Sequence, residues 1–71
     1  MKIGSYIRHF LYKDRGEHIY RYGVIIEIIN TPRPPFANIF WHTVPSEFYF
    51  INQSRYEKIK MQLLELVSEP R

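Results

Sequence analysis

Apolar and polar residues alternate with a period of two through most of the first half of this chain. From Ser5 to Tyr12, the residues Tyr6, Arg8, Phe10 and Tyr12 fall on one side and Ile7, His9 and Leu11 on the other. In aromatic and β-branched residues, that period predicts a strand. Lys13-Asp14-Arg15-Gly16-Glu17 interrupts it as a charged loop, with Gly16 as the turn residue. A second, longer strand is expected over Ile19–Ile29. Val24, Ile26 and Ile28 share one face there, and Ile25, Glu27 and Ile29 share the other. A strand apolar on both faces belongs in the middle of a sheet, or bends so that it serves two parts of one. Gly23 stands where such a bend or bulge is wanted.

Asn30-Thr31-Pro32-Arg33-Pro34-Pro35 reads as a loop, because proline removes the donors a ladder needs. Its stiff, extended form limits the entropy lost on ordering. Phe36–Thr43 follows as a third strand, with Ala37, Ile39 and Trp41 opposed to Asn38, Phe40 and His42. Val44-Pro45-Ser46 turns the chain. Glu47–Ile51 then reads as a short fourth strand, with Phe48 and Phe50 opposed to Tyr49 and Ile51.

The C-terminal stretch supports two readings. Ser54-Arg55-Tyr56-Glu57 has the spacing of a capping box, and Ile59, Leu63, Leu66 and Val67 follow at helical intervals. That pattern predicts a helix from about Arg55 to Val67. The rival reading makes Ser54–Gln62 a loop or short turn and Leu63–Ser68 a closing strand. The capping box tips the expectation towards the helix.

Seventy-one residues make one domain, 1–71, with no repeat, low-complexity tract or linker. A chain this short buries only about 60% of its unfolded surface and is marginally stable without help. It has no Cys, so disulfides and thiolate zinc sites are excluded, and His9, His18 and His42 lack ligand spacing. A dense core or a partner must supply the stability. Residues that are 45% hydrophobic and 17% aromatic favour the dense core, but they exceed what one small core easily hides. Some aromatics are therefore expected at the surface, where Tyr marks contacts. No apolar run approaches the ~20 residues of a membrane span, and the first residues lack the apolar core of a signal peptide. The expectation is a soluble chain, cytoplasmic at synthesis, with a virion as a second destination. The net charge of +3 sits in the first half, where residues 1–33 carry six basic and three acidic groups against four of each in 34–71. That bias is mild for a dedicated nucleic-acid binder.

Several short pieces resemble a known architecture. Gly4-Ser5-Tyr6-Ile7-Arg8 looks like the Gly-Asp-Leu-Val-Arg opening of SH3-like small barrels, with Ser5 in place of the usual Asp. Gly23–Ile28 resembles their second strand, Ala37-x-Ile39-x-Trp41 is similar to the third, and Leu64-Glu65-Leu66-Val67-Ser68 looks like the closing strand. The arrangement is common in short proteins of tailed bacteriophages and, more loosely, in Tudor-like modules. The resemblance implies a mainly β fold: a small SH3-like barrel of four to five antiparallel strands with a C-terminal helix or helical turn. It also implies binding of protein, peptide or nucleic acid, and no catalytic residues. A helix continuing through Val67 would remove the closing strand and leave an open sheet.

His9 and His42 have the side chain poised for acid–base work, but no nucleophile or paired carboxylate stands at a telling spacing. A strand His on the solvent face, or hydrogen-bonded at a barrel rim, is the simpler reading. No phosphate loop, metal-ligand set or triad is present, so the expectation is no enzyme, no cofactor, no metal and no small-molecule substrate. Tyr6, Arg8, Tyr12, Lys13, Arg15, Tyr20, Arg21 and Tyr22 interleave rings with cations, and Arg33 adds one from the Pro-rich loop. Single-strand nucleic-acid binders use that combination, and so do protein interfaces. Ordinary cross-strand pairing beside solvated Arg residues is the bland alternative. Trp41 shares a face with Ile39 and reads as core. Pro32–Pro35 has the look of a ligand for SH3 or WW domains, but between two strands an ordered loop is the simpler account. The leading expectation is a non-enzymatic module that assembles with other protein chains, as a homo- or hetero-oligomer, in the manner of a small phage virion or accessory protein. The alternative is a small nucleic-acid-binding regulator using the basic, Tyr-rich first half.

Overall fold

The structure is a computed structural model and describes residues 1–30, 34–43 and 55–70. It is mainly β. Five antiparallel strands form one sheet: β1 (Tyr6–Asp14), β2 (Glu17–Ile29), β3 (Phe36–Thr43), β4 (Tyr56–Lys60) and β5 (Leu64–Ser68). A 3-10 turn, Met61–Leu63, joins β4 to β5. The strand order is β4-β3-β2-β1-β5, so the longest and most apolar strand lies in the middle. The sheet does not close into a barrel, because β4 and β5 are its two edges.

One face of the sheet holds the core. Ile7 from β1, Ile25 from β2, Ala37, Ile39 and Trp41 from β3, Ile59 from β4 and Leu64 from β5 are buried together, with Ile28 and Met61 packed against them. The expected inward set of β3, Ala37, Ile39 and Trp41, is therefore the observed one. Gly23 lies opposite Trp41 on this face. A Cβ there would sit 2.6 Å from the Phe40 carbonyl oxygen and 2.7 Å from Ile39 Cγ2. Glycine is what lets β2 and β3 approach so closely.

The ladders are interrupted at Leu11 in β1, Ile26 in β2, His42 in β3 and Val67 in β5, where one strand carries an extra residue. Such bulges increase local twist and coil a sheet. They also reverse the alternation beyond them. Past Ile26, Glu27 faces Asn38 and Ile28 faces Ala37. Ile28 therefore turns to the core, whereas unbroken alternation gave that side to Ile29. Past Leu11, Tyr12 pairs with Ile19 and not with His18, which the unbroken register would set opposite it. This takes Tyr12 off the side shared by Tyr6, Arg8 and Phe10.

The C-terminal helix is not formed. Residues 56–60 pair with β3, with Ile59 opposite Ala37, and residues 64–68 pair with β1. Only the 3-10 turn between them is helical. The rival reading is the nearer one, since the closing strand exists, but a strand and not a loop lies between Ser54 and the 3-10 turn. The apolar residues that suggested the helix divide by position. Ile59 is buried at 8% exposure, whereas Leu63, Leu66 and Val67 are 46–52% exposed. Pairing with β1 and β3 satisfies backbone groups along the open sides of both strands, and that tertiary gain overrides a local capping signal. The expected fourth strand, Glu47–Ile51, lies outside the described residues.

Candidate binding surface

The opposite face of the sheet is where the aromatics collect. Cross-strand register sets Arg8 opposite Tyr22, Phe10 opposite Tyr20 and Tyr6 opposite Val24. Val24 in turn faces Phe40, and Phe40 faces Tyr56. The rings form a run across the sheet. Tyr6 stacks on Tyr22 with centroids 6.0 Å apart and planes 16° apart, and Tyr22 lies 6.4 Å from Tyr20. Tyr20 meets Phe10 edge-on at 5.9 Å, and Phe10 meets His18 at 5.4 Å. His42 closes the other end against Tyr6 at 6.4 Å. Phe40 and Tyr56, 5.2 Å apart, extend the apolar surface to β4. Phe10 is 43% and Tyr56 56% exposed, so these rings pack on one another and still present edges and faces to solvent.

Charge on this face is sparse. The Arg8 guanidinium lies 4.1 Å above the Tyr20 ring, while its Nη2 lies 2.8 Å from Glu65 Oε2 on β5. The cation in the middle of the aromatic run is thus already paired. Lys58 and Lys60 lie on β4 opposite Asn38 and Phe36, at the far side of the face. Lys13 and Arg15 are exposed at the β1–β2 hairpin, where Arg15 and Gly16 take positive φ of 51° and 86°.

Tyr6, Arg8, Tyr20 and Tyr22 therefore come together, as the sequence led one to expect. Lys13 and Arg15 lie at the end of the same hairpin, and Arg33 lies outside the described residues. Arg21 is different. It faces the core side and is 8% exposed. Its guanidinium lies 3.8 Å from the Trp41 ring, Nη1 pairs with Glu57 Oε1 at 2.8 Å, and Nε donates to His9 Nδ1 at 3.2 Å. Arg21 is thus a structural cation and not a surface contact. Its partner His9 is held neutral: burial lowers its pKa and the Arg21 charge adds to the effect, with Glu57 partly opposing. Because Nδ1 accepts from Arg21, it carries no proton of its own. Of the two places expected for a strand His, His9 takes the hydrogen-bonded one and not the solvent face, with its ring 6.0 Å from Trp41.

Sequence reasoning left Phe10, His18, Phe40 and Tyr56 out of the candidate site. The signal for Phe10 was available in its alternation with Tyr6 and Arg8. Phe40 and Tyr56 join only through the β2–β3 and β3–β4 registers, which alternation within one strand does not reveal. Among the described residues no three His, Asp or Glu side chains gather as a metal site requires, and no helix is long and apolar enough to cross a membrane. Comparison with protein-family models, curated proteins and solved structures finds no match for this chain.

Proposed function

We propose that this chain is a non-enzymatic module that assembles with other protein chains through the outer aromatic face of its sheet, as a small structural or accessory protein of phage type. The observation that carries the reading is the continuous, half-exposed aromatic run from His18 through Phe10, Tyr20 and Tyr22 to Tyr6 and His42. Rigid rings offer large contact area at small entropic cost, which is why Tyr and Phe anchor protein interfaces. The phage assignment draws its support from the SH3-like pattern of the sequence. Affinity capture from the chain's own host cells tests the proposal. The double variant Phe10→Ser/Tyr20→Ser, shown folded by circular dichroism, should lose the protein chains that the original captures. Equal capture by both would contradict it.

A second reading has one specific observation in its favour: Arg8 stacked over Tyr20, a pairing suited to bases and phosphate. The ion pair with Glu65 argues against it, since the guanidinium has a carboxylate in the place a phosphate would take. Salt separates the two. Binding of a labelled single-stranded oligonucleotide that weakens steeply from low to moderate salt would support the nucleic-acid reading. No binding at low salt would remove it.

A further inference from the structure

The two edges of the sheet differ in chemistry. β4 carries Lys58 and Lys60 in its five residues, and Lys on an edge strand deters pairing with another chain. β5 reads Leu64-Glu65-Leu66-Val67-Ser68. Its one charge, Glu65, is already held by Arg8. Leu64 is buried, but Leu66 and Val67 stay 46% and 47% exposed, and Leu63 just before them 52%. The extra residue at Val67 sets two β5 positions against one step of β1, between Tyr6 and Ile7. Among the described residues, β5 pairs with β1 on one side and with nothing on the other. Among the described residues β5 is therefore the less charged of the two edges, and it runs beside an apolar ridge.

We infer that this edge is covered by the same edge of a second copy, the two β5 strands running antiparallel about a two-fold axis perpendicular to the sheet. The inference rests on the reading of the chain as an assembly module and names one of its partners. Charge selects the register. Centred on Glu65, the pairing sets two carboxylates directly opposite one another. Centred on Val67, it sets Glu65 against Glu69 of the second copy. Centred on Leu66, it sets Leu66 on Leu66 and Glu65 beside Val67, with no like charges opposed. The same operation on β4 about Lys58 would oppose two Lys side chains. A two-fold contact of this kind is isologous and closed, so it ends at a dimer and does not grow into a filament. It also keeps both outer faces on one side, so the two aromatic faces become parts of one surface.

Sedimentation equilibrium on the full chain tests this. The unmodified chain should be a dimer that dissociates on dilution. Leu66→Lys and Leu66→Glu, at a half-exposed position, should each be monomeric with an unchanged circular dichroism spectrum, and an equal mixture of the two should dimerise again. The chain lacks Cys, so Leu66→Cys provides a lone thiol and an independent check. Mild oxidation should link it to its own copy faster than it links Lys58→Cys. A chain monomeric at all concentrations, or a Leu66→Lys variant as dimeric as the original, would overturn the inference. So would dissociation by Phe10→Ser where Leu66→Lys leaves the dimer intact, because the outer face would then be the contact. A monomer that still captures protein chains from its cells sinks the dimer and spares the assembly reading. A dimer that captures no other chain spares the inference and sinks the outer aromatic face as a contact for other proteins.

Discussion

Gly23→Ala should destabilise this protein, although alanine is ordinarily the better residue in a strand. Removing glycine from a strand interior gains roughly 0.5–1 kcal/mol through the unfolded chain. Against that stands the packing at the centre of the sheet. The added methyl group would lie 2.6 Å from the Phe40 carbonyl oxygen, 2.7 Å from Ile39 Cγ2 and 2.9 Å from Trp41 Cε3, where ordinary contact begins at 3.4 Å. The first is backbone of the neighbouring strand and the others are fully buried side chains, so no flexible tip can yield. Overpacking of this kind costs about 1–3 kcal/mol, and three hard contacts put it at the upper end. The net loss is about 2 kcal/mol, which for a domain of this size lowers the melting temperature by roughly 8–16 °C. Urea denaturation followed by Trp41 fluorescence reads it, with an unchanged slope showing that the folded state is still compact. Gly16→Ala is the comparison. Nothing lies within 4 Å of its added methyl, so the cost comes from the φ of +86° alone and should be about 1 kcal/mol. A Gly23→Ala variant as stable as the original would refute the close approach of β2 and β3.

Three further outcomes follow from the core side. Trp41→Ala should lose about 3–5 kcal/mol and unfold so small a domain; a stable variant that had lost only binding, by thermal melt and capture, would mark Trp41 as part of a site. Arg21→Ala should cost about 2 kcal/mol, less than a fully buried pair because Glu57 is a third exposed, whereas Arg8→Ala should cost far less because its pair with Glu65 is exposed and screened by solvent. Equal losses in urea titrations would contradict the assignment of the two arginines to opposite faces. Acidification should loosen the core through His9. Its folded pKa lies below its unfolded value of 6.5, so its contribution is complete above that pH and is lost as pH falls through the lower folded value. Trp41 fluorescence should report the step, and His9→Gln should remove it. A step that survives the substitution would assign it to another group.

Much of this fold was legible because the signals were local. Phe36–Thr43 was readable to the residue, since prolines bound it on one side and its inward positions alternate without a break. The apolar character of Ile25 to Ile29 placed β2 at the centre of the sheet. What escaped notice has a common cause: a bulge is a property of two strands, and the extra residue leaves no mark in one. Leu11 and Ile26 look like any other strand residues, yet they turn Tyr12 off the aromatic face and Ile28 into the core. The closing strand was one of two readings, but the strand Tyr56–Lys60 was hidden by a capping-box spacing whose worth depends on whether β1 and β3 have open sides. Arg21 was the avoidable error. It stands between Tyr20 and Tyr22, so alternation alone puts it with Gly23 and Ile25, on the face that became the core.

The outer face carries the central claim, and a photo-cross-linker placed on it gives the most direct test. p-Benzoylphenylalanine at position 22, introduced in the chain's own host cells, should on irradiation yield a discrete adduct with another protein chain that survives nuclease treatment. The same probe at Glu17, exposed at the hairpin, should yield none. An adduct at position 22 that nuclease destroys, or equal labelling from both positions, would contradict the account.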